Sequence, residues 1–329
     1  MTDGSREQLR QTQAEQWLGA GVHLDSASAD ASFRSYWRAR RGDESWILMD
    51  APPAQEDCRP FVAIAGRLEA AGIHAPAVYE QNLADGFLLL EDFGQIDYLQ
   101  KLTPDNAESL YADAFSALYR IQQIDASDLE PYDEKRLRTE IQLFPEWLLG
   151  GHLGRQLDRT FYRHWSALGD TLLDAALSQP RVFVHRDYHS RNLMWLTRGN
   201  PGVLDFQDAV LGPVTYDPVS LMRDCYIAWP GDQTDAWLER FRSEHPLPAV
   251  RSVDTSTWQH WCDLMGVQRH LKAAGIFCRL HIRDGKPGYL KDIPRTLNHI
   301  SSVCERHPSL EWLQQLLIEL EPTLSEESR

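Results

Sequence analysis

Val182-Phe-Val-His185-Arg-Asp187-Tyr-His-Ser-Arg-Asn192-Leu-Met-Trp195, followed by Gly202-Val-Leu-Asp205-Phe-Gln-Asp208, is the stretch whose reading decides the fold. Two short apolar runs, 182–184 and 202–204, flank polar loops, as strands do when they deliver reactive side chains to their ends. The first run leads to His185 and Asp187; Asn192 follows Asp187 by five residues, and Asp205 follows Asn192 by thirteen. One carboxylate can be aimed at a hydroxyl while a second carboxylate and an amide oxygen hold Mg²⁺. Magnesium favours such a site, with few protein oxygens and the remainder from phosphate and water. Phosphoryl transfer needs little beyond positioning and charge neutralisation.

Working outward, the first ninety-odd residues read as strands around one helix. In Ser32 to Arg40, Phe33, Trp37 and Ala39 alternate with Arg34, Arg38 and Arg40, and a turn at 41–44 leads to Trp46-Ile-Leu-Met49. Cys58 to Ala71 carries Phe61, Ile64, Ala65 and Leu68 at helical spacing, and short strands are predicted near 77–79 and 87–90. Beyond Gly94 the spacing turns helical: 104–124, 135–149, 159–177, 235–243, 257–281 and 308–320 are predicted helices. The expectation is an α+β, bilobal chain: a small mixed N-terminal lobe over 1–93 joined to a larger, mainly helical C-terminal lobe over 94–329.

The 329 residues hold 33 Lys+Arg against 48 Asp+Glu, a net charge of −15, which argues against nucleic acid or a polybasic membrane contact as the partner. No apolar run approaches the roughly 18 residues of a membrane span, and the start lacks the apolar core of a secretory signal. Five scattered cysteines without a CxxC pair suit a reduced, cytoplasmic chain. His185 and His189 have the four-residue spacing of a helical zinc pair, yet neither a His-Glu-x-x-His string nor a cysteine partner accompanies them. A small-molecule substrate is the expected partner, with no obligatory protein partner evident.

The His185-x-Asp187-x-x-x-x-Asn192 loop and Asp205 resemble the catalytic loop and metal-binding aspartate of the protein-kinase-like superfamily. Asp205-Phe-Gln-Asp208 and Gly212-Pro-Val-Thr-Tyr216-Asp217 narrow the resemblance to the aminoglycoside/choline phosphotransferase branch. Leu143-Phe-Pro-Glu-Trp147 and Ser220-Leu-Met-Arg-Asp224 look like the bacterial anomeric kinases of N-acetylmuramate and N-acetylglucosamine used in peptidoglycan recycling. The resemblance implies ATP and Mg²⁺ as cofactors, Asp187 as catalytic base, Asn192 and Asp205 as metal ligands, and His185 and Asp217 as braces of the loops. It implies that the 1–93 lobe binds the nucleotide, with a hinge about 89–94 and adenine contacts from the backbone of Glu91 and Phe93, a phosphate-covering loop over 27–32 that includes Ser32, and substrate contacts among Glu140, Glu146, Tyr188, His189 and Arg223 in the C-terminal lobe. An anionic sugar would call for a local cation such as Arg223 or Arg269.

Two departures stand out. The covering loop has no glycine, and the first lysine of the chain is Lys101, so the phosphate-binding lysine of kinases has no counterpart; Met49 or Asp50 stands where it is expected. Arg34 or Arg38, from the neighbouring strand, can act as a phosphate fork instead. An aminoglycoside, choline-like or other amino-sugar kinase is one alternative, and a catalytically silent nucleotide-binding scaffold is another.

Overall fold

The computed structural model describes residues 3–29 and 33–327. The chain forms two compact units, Met1–Arg120 with Arg191–Asp208, and Ile121–Ser190 with Ala209–Arg329.

The first unit opens with helix α1 (Asp3–Leu18) and a five-stranded antiparallel sheet built from β1 (His23–Ala29), β2 (Ser35–Arg41), β3 (Glu44–Asp50), β4 (Val78–Asn82) and β5 (Phe87–Glu91), in the order β1-β2-β3-β5-β4. Helix α2 (Arg59–Ala70) connects β3 to β4 and sets its Phe61 ring 4.8 Å from Phe206. Alternation sorts the sheet into two faces. Ala39, Leu48, Phe87 and Leu89 form one buried cluster with Ala14 and Leu18 of α1. On the same face, Arg6 and Arg10 of α1 grip Asp50 at 2.6 and 3.1 Å, while Arg6 lies over the Phe87 ring and Arg10 over Trp37. Met49, paired with Tyr36 and Leu88, therefore belongs to the opposite face together with Arg38, Ile47 and Leu90. Strand β1 takes in residues 27–29, the start of the expected covering loop; its His-Leu-Asp-Ser-Ala-Ser-Ala sequence lacks an apolar stripe, as an edge strand can.

The compact units divide the chain differently from the expected 1–93 and 94–329 lobes. Helix α3 (Tyr98–Lys101), nearly all of α4 (Ala107–Ile121), and the hairpin of β7 (Leu193–Met194) and β8 (Gly202–Val203) cluster with the sheet. Hydrogen bonds explain this: Val203 N donates to His74 O at 2.8 Å, Trp195 N to Ile96 O at 2.9 Å, and Asn200 Nδ2 to Tyr98 Oη and Asp113 at 2.8 Å each. Gly202 is required here, because a Cβ would stand 2.7 Å from the Phe93 ring.

The second unit contains α5 (Glu134–Ile141), a π-helical segment (Phe144–His152), α6 (Arg159–Leu177), the antiparallel pair β6 (Arg181–Val184) and β9 (Val210–Pro213), α7 (Tyr216–Met222), α8 (Gly231–Glu244), α9 (Pro248–Arg251), α10 (Thr255–Asp284), α11 (Ile293–Cys304) and α12 (Glu311–Glu327). Its core joins Phe144, Trp165, Leu172, Leu264, Leu271, Ile300 and Leu313, with Phe144 stacked on Trp165 at 5.6 Å. One helix over 135–149 was expected; the structure changes to π geometry at Phe144, where Pro145 has no N–H to continue the ladder. Helix α11, absent from the expected set, buries Ile293, Leu297, Ile300 and Val303 at helical spacing. No helix among the described residues is long and apolar enough to cross a membrane.

Candidate active site

In the helical unit, β6 runs into the loop that carries Asp187. The two oxygens of Asp217, in the first turn of α7, accept the consecutive amides of His185 and Arg186 at 2.7 and 2.9 Å. This clamp holds Arg186 at φ 78°, a left-handed conformation that costs a non-glycine residue about 1–3 kcal/mol. Burial pushes the Asp217 carboxyl up to about 7, against the pull of the two amides, and the charge of Asp187 adds to the rise. The loop's far end is tied down as well: Asp224 accepts from Ser190 N at 2.9 Å and Ser190 Oγ at 2.5 Å.

Behind the loop lies a buried charge cluster. Glu140 of α5 pairs with Arg186 at 2.6 Å and with Lys272 of α10 at 3.2 Å, and accepts the hydroxyl of Tyr132. Lys272 also donates to Tyr216 Oη at 3.1 Å. Burial alone would raise the Asp187 carboxyl; Lys272, with His189, Arg186 and His185, outweighs it and holds the group below the ordinary aspartate value. The loop thus presents a carboxylate kept ionised, the state a proton acceptor needs.

The sheet unit holds the other expected residues. Leu204 N donates to Asn192 O at 2.9 Å, Asn192 Nδ2 to Asp205 Oδ2 at 3.3 Å, and Gln207 Nε2 to Asp205 Oδ1 at 2.8 Å. Asp205 adopts φ 62°, again left-handed without being glycine. One carboxylate beside one amide, with no cluster of three His, Cys, Asp or Glu suited to a metal among the described residues, is a donor set for a hard cation that draws its other oxygens from phosphate or water. The residues present fit Mg²⁺ in that sense.

Arg38, expected as a phosphate fork, has another engagement. Its guanidinium binds Asp92 at 2.7 and 3.0 Å and donates to Gly94 O at 2.7 Å, so it locks the backbone after β5. Arg34 is half-buried just before β2, and Ser32 lies outside the described residues. The Glu91 amide donates to Ala77 O at 3.0 Å and its carboxylate meets His74 at 3.0 Å, whereas Phe93 sets its ring edge-on to His74.

Among the expected substrate contacts, three are buried in the protein's own interactions. Glu140 belongs to the charge cluster, Tyr188 is fully buried with its ring against His185, and Arg223 pairs with Asp263 at 2.6 Å and Asp235 at 3.1 Å while donating to Cys262 O. Glu146 is exposed on the π-helical segment, and His189 is half-buried with its ring against Tyr226. Sequence reasoning missed Lys272, Asp224 and Asp92. For Lys272 a signal existed, a basic residue on the apolar helix face of 266–274; Glu140, its partner, is far away in the chain.

Residues 23–252 match the model of a phosphotransferase enzyme family. The chain is 49% identical over 305 residues to the N-acetylmuramate/N-acetylglucosamine kinase of Pseudomonas aeruginosa, covering 91% of this chain and 89% of that protein. It is 46% identical over 300 residues to the protein of the same name from Pseudomonas putida, covering 91% and 88%. Among solved structures, an aminoglycoside phosphotransferase in ternary complex with ADP and hygromycin B shares the fold, with TM-score 0.62 and 13% identity over 90% of this chain and 97% of the other.

Proposed function

Since the chain belongs to the phosphotransferase enzyme family, we propose that it moves the γ-phosphoryl group of ATP to the anomeric hydroxyl of N-acetylmuramate or N-acetylglucosamine, giving the α-1-phosphate for peptidoglycan recycling. The observation that carries this reading is Asp187, held on a clamped loop and kept ionised by Lys272 and its neighbours. Asp187 accepts the proton of the sugar hydroxyl as the phosphoryl group leaves ATP. A hemiacetal hydroxyl is more acidic than an ordinary alcohol, so a carboxylate base suits it better.

Asn192 and Asp205 would hold Mg²⁺, which supplies neutralisation of phosphate charge. The Phe93 amide, without a backbone partner among the described residues, donates to the adenine edge. With Arg38 engaged by Asp92, Arg34 is the arginine for the phosphates. His185 and Asp217 keep the loop in shape, and His189 and Glu146 remain on the acceptor side. Five buried, unbridged cysteines support a cytoplasmic setting.

The test is incubation with ATP, Mg²⁺ and a panel of N-acetylmuramate, N-acetylglucosamine, glucose, choline and kanamycin, with the phosphate located by ³¹P NMR. Phosphate on C1 of either N-acetyl sugar is expected. Phosphorylation of kanamycin or choline alone, or at a ring hydroxyl other than C1, overturns the reading.

A further inference from the structure

Among the described residues of the helical unit, the buried cations Arg223 and Lys272 have carboxylate partners and Arg269 does not. Arg223 has Asp263 and Asp235; Arg186 and Lys272 share Glu140. Arg269, on α10 one turn before Lys272, is only 6% exposed. Among the described residues its single hydrogen-bond acceptor is Cys225 Sγ at 3.8 Å, and no carboxylate lies within ion-pair distance. A thiol is a weak acceptor for a group with five N–H donors, and a buried guanidinium so poorly matched is costly unless something else meets it.

The nearest carboxylates cannot serve as that match in the geometry seen. Asp224 faces Ser190 N and Oγ through one oxygen and Tyr226 N through the other. Cys225, which Arg269 touches, adjoins Asp224, and Asp224 holds Ser190 of the Asp187 loop, so the guanidinium stands beside that loop, and Asp187 lies in its field. Asp217, which also feels Arg269, has its two oxygens on the amides of His185 and Arg186. Carboxylates thus act on this guanidinium only from beyond ion-pair distance, and its planar donors have no carboxylate partner of their own.

The two sugars differ in the matching chemistry. N-acetylmuramate carries a lactyl ether ending in a carboxylate; N-acetylglucosamine has a hydroxyl in its place. Given the sugar-kinase activity proposed above, we infer that Arg269 is the residue that reads the lactyl carboxylate and so sets the preference between the two acceptors. A guanidinium meets a carboxylate through two parallel N–H···O bonds, which a lysine cannot reproduce.

Steady-state kinetics on Arg269→Gln and Arg269→Lys, with both sugars, tests this. Arg269→Gln is expected to raise KM for N-acetylmuramate by about tenfold to a hundredfold, the size of a lost charge-assisted contact, and to leave KM for N-acetylglucosamine within about twofold. Arg269→Lys, which keeps the charge, recovers part of the loss. Equal damage to both sugars, or none to either, overturns the inference and assigns Arg269 to the interior alone. A substrate-side measurement guards against misfolding of the variants: wild-type protein should take the methyl ester of N-acetylmuramate with the same penalty that Arg269→Gln shows for the free acid. An ester handled as well as the acid overturns the inference. Absence of turnover on N-acetylglucosamine as well as N-acetylmuramate by the wild type is a different failure, that of the sugar-kinase reading itself.

Discussion

The two units use buried charge for different ends. In the sheet unit, arginine forks close on single aspartates: Arg6 and Arg10 on Asp50 fasten α1 to the sheet, and Arg38 on Asp92 fastens the backbone after β5. These pairs hold segments in place. In the helical unit, Lys272 and Arg186 converge on Glu140, and their field reaches beyond it to Asp187. This arrangement sets a protonation state. Similar residue types thus serve position in one unit and ionisation in the other, according to whether a titrating group stands within range of the pair.

The comparison can be broken most severely at Asp187. Asp187→Asn should lower kcat at least about 10²-fold, the low end for a general base, with little change in melting temperature; near-normal turnover would remove the helical unit's claim to the chemistry. In the sheet unit, Arg38→Ala leaves Asp92 buried without its fork, and breaking a buried pair costs about 3–5 kcal/mol. A clear drop in melting temperature together with a raised ATP KM is expected, whereas Arg34→Ala should raise ATP KM alone. If both variants melt like the wild type, the Arg38 pair does not fasten that backbone. The finest test is Lys272→Met. Removing the cation lets burial dominate, so Asp187 protonates more readily, and the acid limb of the kcat/KM pH profile should move to higher pH while the basic limb stays. An unmoved acid limb would mean that Lys272 serves packing rather than ionisation.

The parts of this molecule that were legible in the sequence are those governed by local pattern. Alternation in β2 sorted Trp37 and Ala39 from Arg38 and Arg40, and the registers agree. The spacing of Asp187, Asn192 and Asp205 was readable because two short strands set it. What was hidden depends on pairing between distant positions. Nothing in the string around Asp92 announces a partner 54 residues earlier in Arg38, and nothing near Lys272 points to Glu140 on another helix. Arg223 and Arg269 looked equivalent as candidate cations; only their neighbours, Asp263 for one and Cys225 for the other, tell them apart. The π-helical turn at Phe144 and the grouping of 191–208 with the sheet likewise follow from packing rather than from periodicity.

Arg186 narrows the mutational routes open to this chain. A residue at φ 78° would be most comfortable as glycine, and one base change turns several arginine codons into glycine codons. That step would relax the backbone and in the same stroke strip Glu140 of a cation at 2.6 Å. A lysine would keep the charge but give up the planar fork. Neutral drift at this position is therefore closed on both sides, and a substitution that looks stabilising from the backbone alone would be a silent loss of activity.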